Sequence, residues 1–358
     1  MHSPKHSYNL GMTSSPLLGI EEPRLNAPIF IVGAPRSGTT LLRNMLNRHP
    51  SIAICRETDF CRLVFRRQRA FGSLSDVRNR QRLVKQYLPT RGVQRMQIDL
   101  QALEPTLLRE GTSYAAFFAS LLRFYAQAYG KRRYGEKTPR HALFTETLCE
   151  WYPGATIIHL VRDPRDVVAS LLRLDWADQN ALGNANLWLR SNLAAHRSRH
   201  RPKYLLVRYE QLVAQPEQEL KRICAFVDEE YSPAMLMPNH DPTADRPWLR
   251  RAEESVTTER LGKWRKQLTA DQVALIEWLV KPHMQTFGYE PAGRSPSKLT
   301  IVGGVASAAF DAARRRIGEF PGFWSFFTRS TDLVEEETAK ERFRSRRLAA
   351  AATPEKCS

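Results

Sequence analysis

The 358-residue chain has no run of eighteen or more apolar residues, which excludes a helix that would cross a bilayer by its hydrophobicity. Its N-terminal stretch, MHSPKHSYNLGMTSSPLLGIEEPRLN, is polar and has neither a signal-peptide core nor a membrane anchor, so a soluble, cytoplasmic protein is expected. Cysteine is scarce: Cys55, Cys61, Cys149, Cys224 and Cys357 are odd in number, scattered, and form no Cys-x-x-Cys pair. They indicate neither a disulfide framework nor a zinc site, and no metal is called for. Acid is also short, with 37 Asp and Glu against 54 Lys and Arg. The resulting net charge of +17 favours anionic partners such as nucleotides, acidic lipids or polyanionic sugars. No helix-turn-helix, zinc-finger or stacking-aromatic motif accompanies that charge, so nucleic acid is not an expected partner.

What is present begins with PIFIVGAPRSGTTLL, Pro28 to Leu42. Ile29 to Val32 form the short apolar run of a buried strand, and Leu41, Leu42, Met45, Leu46 and His49 recur at helical spacing. The loop between them therefore meets a helix N-terminus, whose unpaired N–H groups favour an anion. Gly33 and Gly38 have the spacing of the nucleotide-hydrolase loop G-x-x-x-x-G-K-[ST], but Thr39 stands where its lysine would be. A cation appears instead at Arg36, inside the loop, and no obvious magnesium-binding carboxylate follows on a later strand.

The rest of the chain alternates between strands and helices, which predicts an α/β fold with a mainly parallel central sheet flanked by helices. A flexible tail is read up to residue 26, one main domain over 27–290, and a helical extension over 291–358. The region from Phe60 to Met96 is basic and helix-prone, readable as a solvated face or as an anion-attracting acceptor lid. A helix is expected from about Tyr114 to Tyr129, a strand in RRYGEK, a helix from His141 to Trp151, and strands at Thr156–Val161 and Tyr204–Val207. Pro164 behind Asp163 is a helix start, and Thr269-x-x-Gln272 is a capping box for a helix ending near Pro282. The extension carries an aromatic cluster (Phe320, Phe323, Trp324, Phe326, Phe327), readable as an appended packed helix or as an amphipathic surface for peripheral membrane or subunit contact.

A second anion signal, HLVRDPRDVVAS from His159 to Ser170, again places an arginine between a strand end and a helix start. PRSGTT resembles the 5′-phosphosulfate loop of the sulfotransferases that use 3′-phosphoadenosine 5′-phosphosulfate (PAPS), and the second segment resembles their 3′-phosphate motif. HPSIAICRET, GEKTPRH, VRYEQLV and LGKW occur in the order of that fold, so that the likeness runs from about Pro28 to Tyr289. The nearest motifs are those of tyrosylprotein-type and bacterial enzymes.

The resemblance implies a role for each matching residue. Arg36 with Ser37, Gly38, Thr39 and Thr40 would hold the 5′-phosphosulfate, and Arg162 with Ser170 would grip the 3′-phosphate. Tyr209 would lie against the adenosine and Lys263 near the 3′-phosphate. Lys137 would be a second cation at the transferring group, and Glu57 the base, with a salt bridge to Arg56 or Arg62 as its ordinary alternative. His141 is the other candidate base, or a core histidine; His49 and His159 read as structural. Asp59 stands where tyrosylprotein enzymes carry an arginine that reads acidic peptides, so the expected acceptor is a hydroxyl of a carbohydrate, lipid or small metabolite. A P-loop nucleotide kinase and a non-catalytic nucleotide-binding scaffold are the competing readings, and the sequence leaves the oligomeric state open.

Overall fold

The computed structural model describes residues 27–174, 177–237, 256–293 and 295–318. Five strands form one all-parallel sheet: β1 (Ile29–Val32), β2 (Ile52–Cys55), β3 (Arg133–Lys137), β4 (Thr156–Val161) and β5 (Tyr204–Arg208), in the spatial order β2-β3-β1-β4-β5. The fold is therefore α/β, as the alternation of elements implied. The helices that shape the sheet's surroundings include α1 (Thr39–Asn47), α2 (Tyr114–Ala128), α3 (Pro164–Leu171), α4 (Ala181–His196), α5 (Pro216–Phe226), α6 (Ala270–Met284) and α7 (Lys298–Gly318).

The first four strands are buried along their whole length because helices cover both faces, and this is why β1 and β4 read as unbroken apolar runs. Alternate residues of β1 serve two cores. Phe30 and Val32 join the one that includes Phe60 and Phe118, whose rings stack at 4.5 Å, while Ile29 and Ile31 join the one with Leu42 and Met45. β3 breaks the apolar rule, since RYGEK is wholly buried yet carries Arg133, Glu136 and Lys137. Each of these charges meets a partner, as burial requires: Arg133 donates to the Val227 carbonyl, Glu136 accepts from Thr58, and Lys137 donates to Glu57.

Local signals explain most of the boundaries. Asp163 accepts from the Arg165 amide at 2.8 Å and starts α3 with Pro164 in its first turn. The Thr269–Gln272 capping box opens α6, which includes Pro282 and ends two residues later at Met284. The helix expected over His141–Trp151 is two pieces, a 3-10 turn from Pro139 to Phe144 and a helix from Thr145 to Trp151. Pro139 holds Thr138 extended, and the chain re-enters helix only after the tight turn. The basic, helix-prone region after Phe60 forms several helices, among them Val77–Tyr87 and Arg91–Gln94. Some of its charge turns inward: Arg80 donates to the Leu74 and Leu108 carbonyls and Arg82 to that of Phe71.

Helix α7 packs on the domain, with Gly304 against Leu275, and leaves Leu299, Val302 and Phe310 exposed. The aromatic cluster after it, the N-terminal tail and Cys357 lie outside the described residues. Cys55, Cys61, Cys149 and Cys224 are buried free thiols. Among the described residues, no helix is long and apolar enough to cross a membrane.

Because all strands are parallel, their C-terminal ends share one edge, where ligands of such sheets are held. β1 lies between β3 and β4, with Ile31 opposite Lys137 and Val32 opposite His159. Strand order alone therefore brings together the loops that leave residues 32, 137 and 161.

Candidate active site

The loop after β1 is built to meet an anion. Gly33 adopts φ +151°, and a Cβ there would lie 2.2 Å from the Leu160 carbonyl oxygen, so only glycine lets β1 and β4 close at this point. Gly38 precedes α1 at φ +96°, and no side chain caps that helix start. Between them, Arg36 is itself in the left-handed region at φ 72°. The Ser37 hydroxyl is fully buried and has no hydrogen-bond partner. An uncapped helix N-terminus and an orphaned buried hydroxyl fit a phosphate-like oxygen.

The second loop closes on the first. Arg36 Nε donates to Ser170 Oγ at 3.1 Å, and Arg162 Nη1 donates to the Arg36 carbonyl at 3.4 Å. Arg162 Nη2 reaches the Arg260 carbonyl at 2.7 Å, while its buried Nε has no partner. Beneath the loop, the Trp188 indole N–H donates to the Arg162 carbonyl at 2.8 Å. The Arg162 guanidinium lies 4.5 Å over the ring of Tyr209, and that ring fills the space a Cβ on Gly38 would need. Burial, with the like charges of Arg162, Arg260 and Arg173, pulls the Arg36 pKa down to about 10, against the opposing effect of Glu57. Cations crowded to this degree create a potential that an anion relieves.

Asp166 holds a third segment against this pair. It accepts from the Gly262 amide at 2.9 Å and the Trp264 amide at 3.0 Å, and lies 3.6 Å from Arg162. Lys263, between those two amides, is exposed at the β4 end of the cleft. Arg165 points elsewhere, to Asp163 and the buried Glu277, and stacks on Trp264 at 4.2 Å. Arg165 and Asp166 thus fix the loop, one through its ion pair with Asp163 and the other through the amides of Gly262 and Trp264.

At the other end, the Lys137 ammonium donates to Glu57 Oε1 at 2.6 Å. Arg62 binds Asp59 at 2.9 Å. The Lys137 side chain is 3% exposed and that of Glu57 37%, so the carboxylate faces the cleft and the cation supports it from inside. Burial lowers the Lys137 pKa, and Glu57 opposes that shift.

His141 corrects the sequence reading. The 3-10 turn carries it into the core, where it is 1% exposed; Nδ1 lies 2.8 Å from Glu136 Oε2, and Nε2 accepts from the Cys61 amide at 3.3 Å. With both ring nitrogens engaged and no access to solvent, it has no route to a substrate proton. His49 and His159 are structural as expected: His49 Nε2 meets the Glu230 carbonyl, and His159 lies between Tyr204 and Asn192.

One edge therefore collects Arg36, Ser37, Gly38, Thr39 and Thr40 after β1, Glu57 after β2, Lys137 at the end of β3, Arg162 and Ser170 after β4, and Tyr209 after β5. Sequence reasoning missed Arg173, Arg260 and Trp188. Arg173 lies nearly one helical turn beyond Ser170 and was open to that inference; nothing in the sequence pointed to the other two.

Comparison with known proteins agrees with this geometry. A model described as the sulfotransferase family matches residues 28–233. Protein-tyrosine sulfotransferase 2 of Gallus gallus is 27% identical over 292 residues, covering 75% of this chain and 71% of that protein. Nodulation protein NoeE of Sinorhizobium fredii is 28% identical over 298 residues, covering 73% of this chain and 65% of that protein. Among solved structures, the sulfotransferase domain of the Synechococcus PCC 7002 olefin synthase is similar, with a TM-score of 0.52 and 26% identity over 71% of this chain and 94% of that domain.

Proposed function

The chain belongs to the sulfotransferase family, whose general sulfonyl donor is PAPS, and we propose that this edge moves a sulfonyl group from PAPS to an acceptor hydroxyl. The observation that carries the reading is the Arg36–Ser170 hydrogen bond with Arg162 on the Arg36 carbonyl, which makes one cationic cleft of two strand ends. The 5′-phosphosulfate would be held by Arg36, Ser37, Gly38, Thr39 and Thr40, and the 3′-phosphate by Arg162, Ser170 and Lys263, with Tyr209 as a wall for the nucleoside.

In the transfer, the acceptor oxygen forms a bond to sulfur while the sulfur–oxygen bond to the 5′-phosphate breaks. The acceptor proton goes to Glu57, and the charge left on the phosphate oxygen falls to Arg36 and Lys137. Lys137 suits that task because it is already fixed and desolvated, so little reorganisation accompanies the step.

For the acceptor we propose a hydroxyl of a carbohydrate, lipid or small metabolite. Asp59 supports this, because it neutralises Arg62 at the position where an acidic peptide would need a free cation. Relatives that bear the name protein-tyrosine sulfotransferase favour a second reading, a tyrosine hydroxyl of a peptide. A panel of sugars, lipids, phenols and tyrosine peptides, scored by acceptor-dependent release of 3′-phosphoadenosine 5′-phosphate (PAP), separates the two. The sulfotransferase reading requires that release from the wild type, its loss in Arg36→Ala, and PAP binding that needs no magnesium. Binding of ATP with magnesium but not PAP would replace it with a kinase, and PAP binding without turnover on any acceptor with a scaffold.

A further inference from the structure

Glu136 is a fully buried carboxylate one residue before Lys137, and the sulfonyl transfer gives it no task. Its Oε1 accepts from the Thr58 amide at 3.0 Å, from the Thr58 hydroxyl at 2.7 Å and from the Thr138 hydroxyl. Its Oε2 lies 2.8 Å from His141 Nδ1. Thr58 is the residue next to Glu57, and Thr138 the residue next to Lys137. Each member of the cleft pair is thus anchored by its C-terminal neighbour, and both anchors end on the same oxygen atom.

The 57–58 segment is clamped from its other sides as well. Tyr87 donates its buried hydroxyl to the Thr58 carbonyl at 3.2 Å. Gly92 lets the Arg91–Gln94 helix approach so closely that a Cβ would lie 2.8 Å from the Glu57 carbonyl oxygen. A buried carboxylate needs partners, but partners alone do not require that they come from the two residues flanking the cleft pair.

We propose that Glu136 is the positioning residue of the Glu57–Lys137 pair: it sets the distance between their two strand-end segments and keeps a negative charge against Lys137 when Glu57 is protonated. The charges facing Lys137 are Glu57 from the loop after β2, Glu136 on its own strand and Arg43 from α1, with the Cys55 thiol on β2 nearby. Arg43 and burial act against the ammonium, and the two carboxylates favour it. When Glu57 accepts the acceptor proton, Glu136 is the carboxylate of this group that remains charged. The proposal rests on the sulfotransferase reading for the meaning of the pair.

Glu136→Gln keeps the shape and removes the charge, and Thr58→Val removes one anchor and keeps the charge. A displacement near 1 Å costs about 100-fold in rate, so both variants should lose kcat on that scale while PAP affinity stays that of the wild type. Glu136→Gln should also move the alkaline limb of the pH–rate profile to lower pH, and Thr58→Val should leave it in place. Titration of the Lys137 ammonium by NMR should shift downward in Glu136→Gln, and because it needs no turnover it decides the charge effect even if the sulfotransferase reading fails. Wild-type kcat in Thr58→Val overturns the proposal whether or not Glu136→Gln folds. So does an unmoved Lys137 titration in Glu136→Gln, or a loss of kcat that only parallels a loss of PAP affinity.

Discussion

Replacing Gly38 by alanine tests the phosphate loop at a single methyl group. The new Cβ would lie 2.4 Å from Tyr209 Cδ2 and 2.7 Å from Cε2, about 1 Å inside ordinary contact between carbons. Tyr209 has little freedom to withdraw, since it is 4% exposed and lies beneath the Arg162 guanidinium. The loop must then move by about the overlap, which at a reacting centre costs about 100-fold in rate. The left-handed backbone of residue 38 adds about 1–2 kcal/mol of strain for any side chain. Gly130 separates these two effects, because it is also left-handed, at φ +64°, but nothing lies within 4 Å of its would-be Cβ. It precedes β3, at the sheet edge opposite the cleft. Turnover of PAPS and calorimetric PAP affinity, measured with urea unfolding, should show both losses in Gly38→Ala and only a stability loss in Gly130→Ala. Wild-type PAP affinity and turnover in Gly38→Ala would refute the reasoning, as would an equal loss of activity in Gly130→Ala.

Two further outcomes concern single residues. Glu57→Gln removes the proposed base and should lower kcat by about 100- to 10,000-fold while PAP affinity remains near that of the wild type, as read by steady-state kinetics and calorimetry; a full-speed variant would move the base elsewhere. His159 is buried neutral, and burial lowers its pKa from 6.5 to about 4. Between those values the unfolded chain binds the extra proton, so stability should fall as pH drops from 6.5 towards 4, by about 3 kcal/mol for this residue. Urea midpoints across that range should show the slope in the wild type and its loss in His159→Gln.

Much of the fold was legible because the buried strands are apolar runs with turn signals at their ends. Ile29–Val32 and Thr156–Val161 appear in the sequence almost as they appear in the sheet. β2 was missed although Pro50 and Ser51 punctuate its start, because IAIC lies inside HPSIAICRET, which was read only for its family likeness. The two anion loops could be read because each joins strand, arginine and helix start. Their meeting was implied only by the family resemblance, because it depends on β4 lying beside β1, and strand order is a property of the whole chain. Glu57 and Lys137 were each legible, but their 2.6 Å contact joins residues eighty apart through β2 and β3. For His141 the sequence left a base and a core histidine both open, since a local pattern does not tell which way a 3-10 turn will swing a side chain.

The indole of Trp188, hydrogen-bonded to the Arg162 carbonyl, gives the cleft a native optical reporter. Any ligand that draws on the Arg162 guanidinium pulls on the same residue whose carbonyl sets the electrostatic environment of that chromophore. Emission can thus register occupancy in unlabelled protein before an acceptor has been identified.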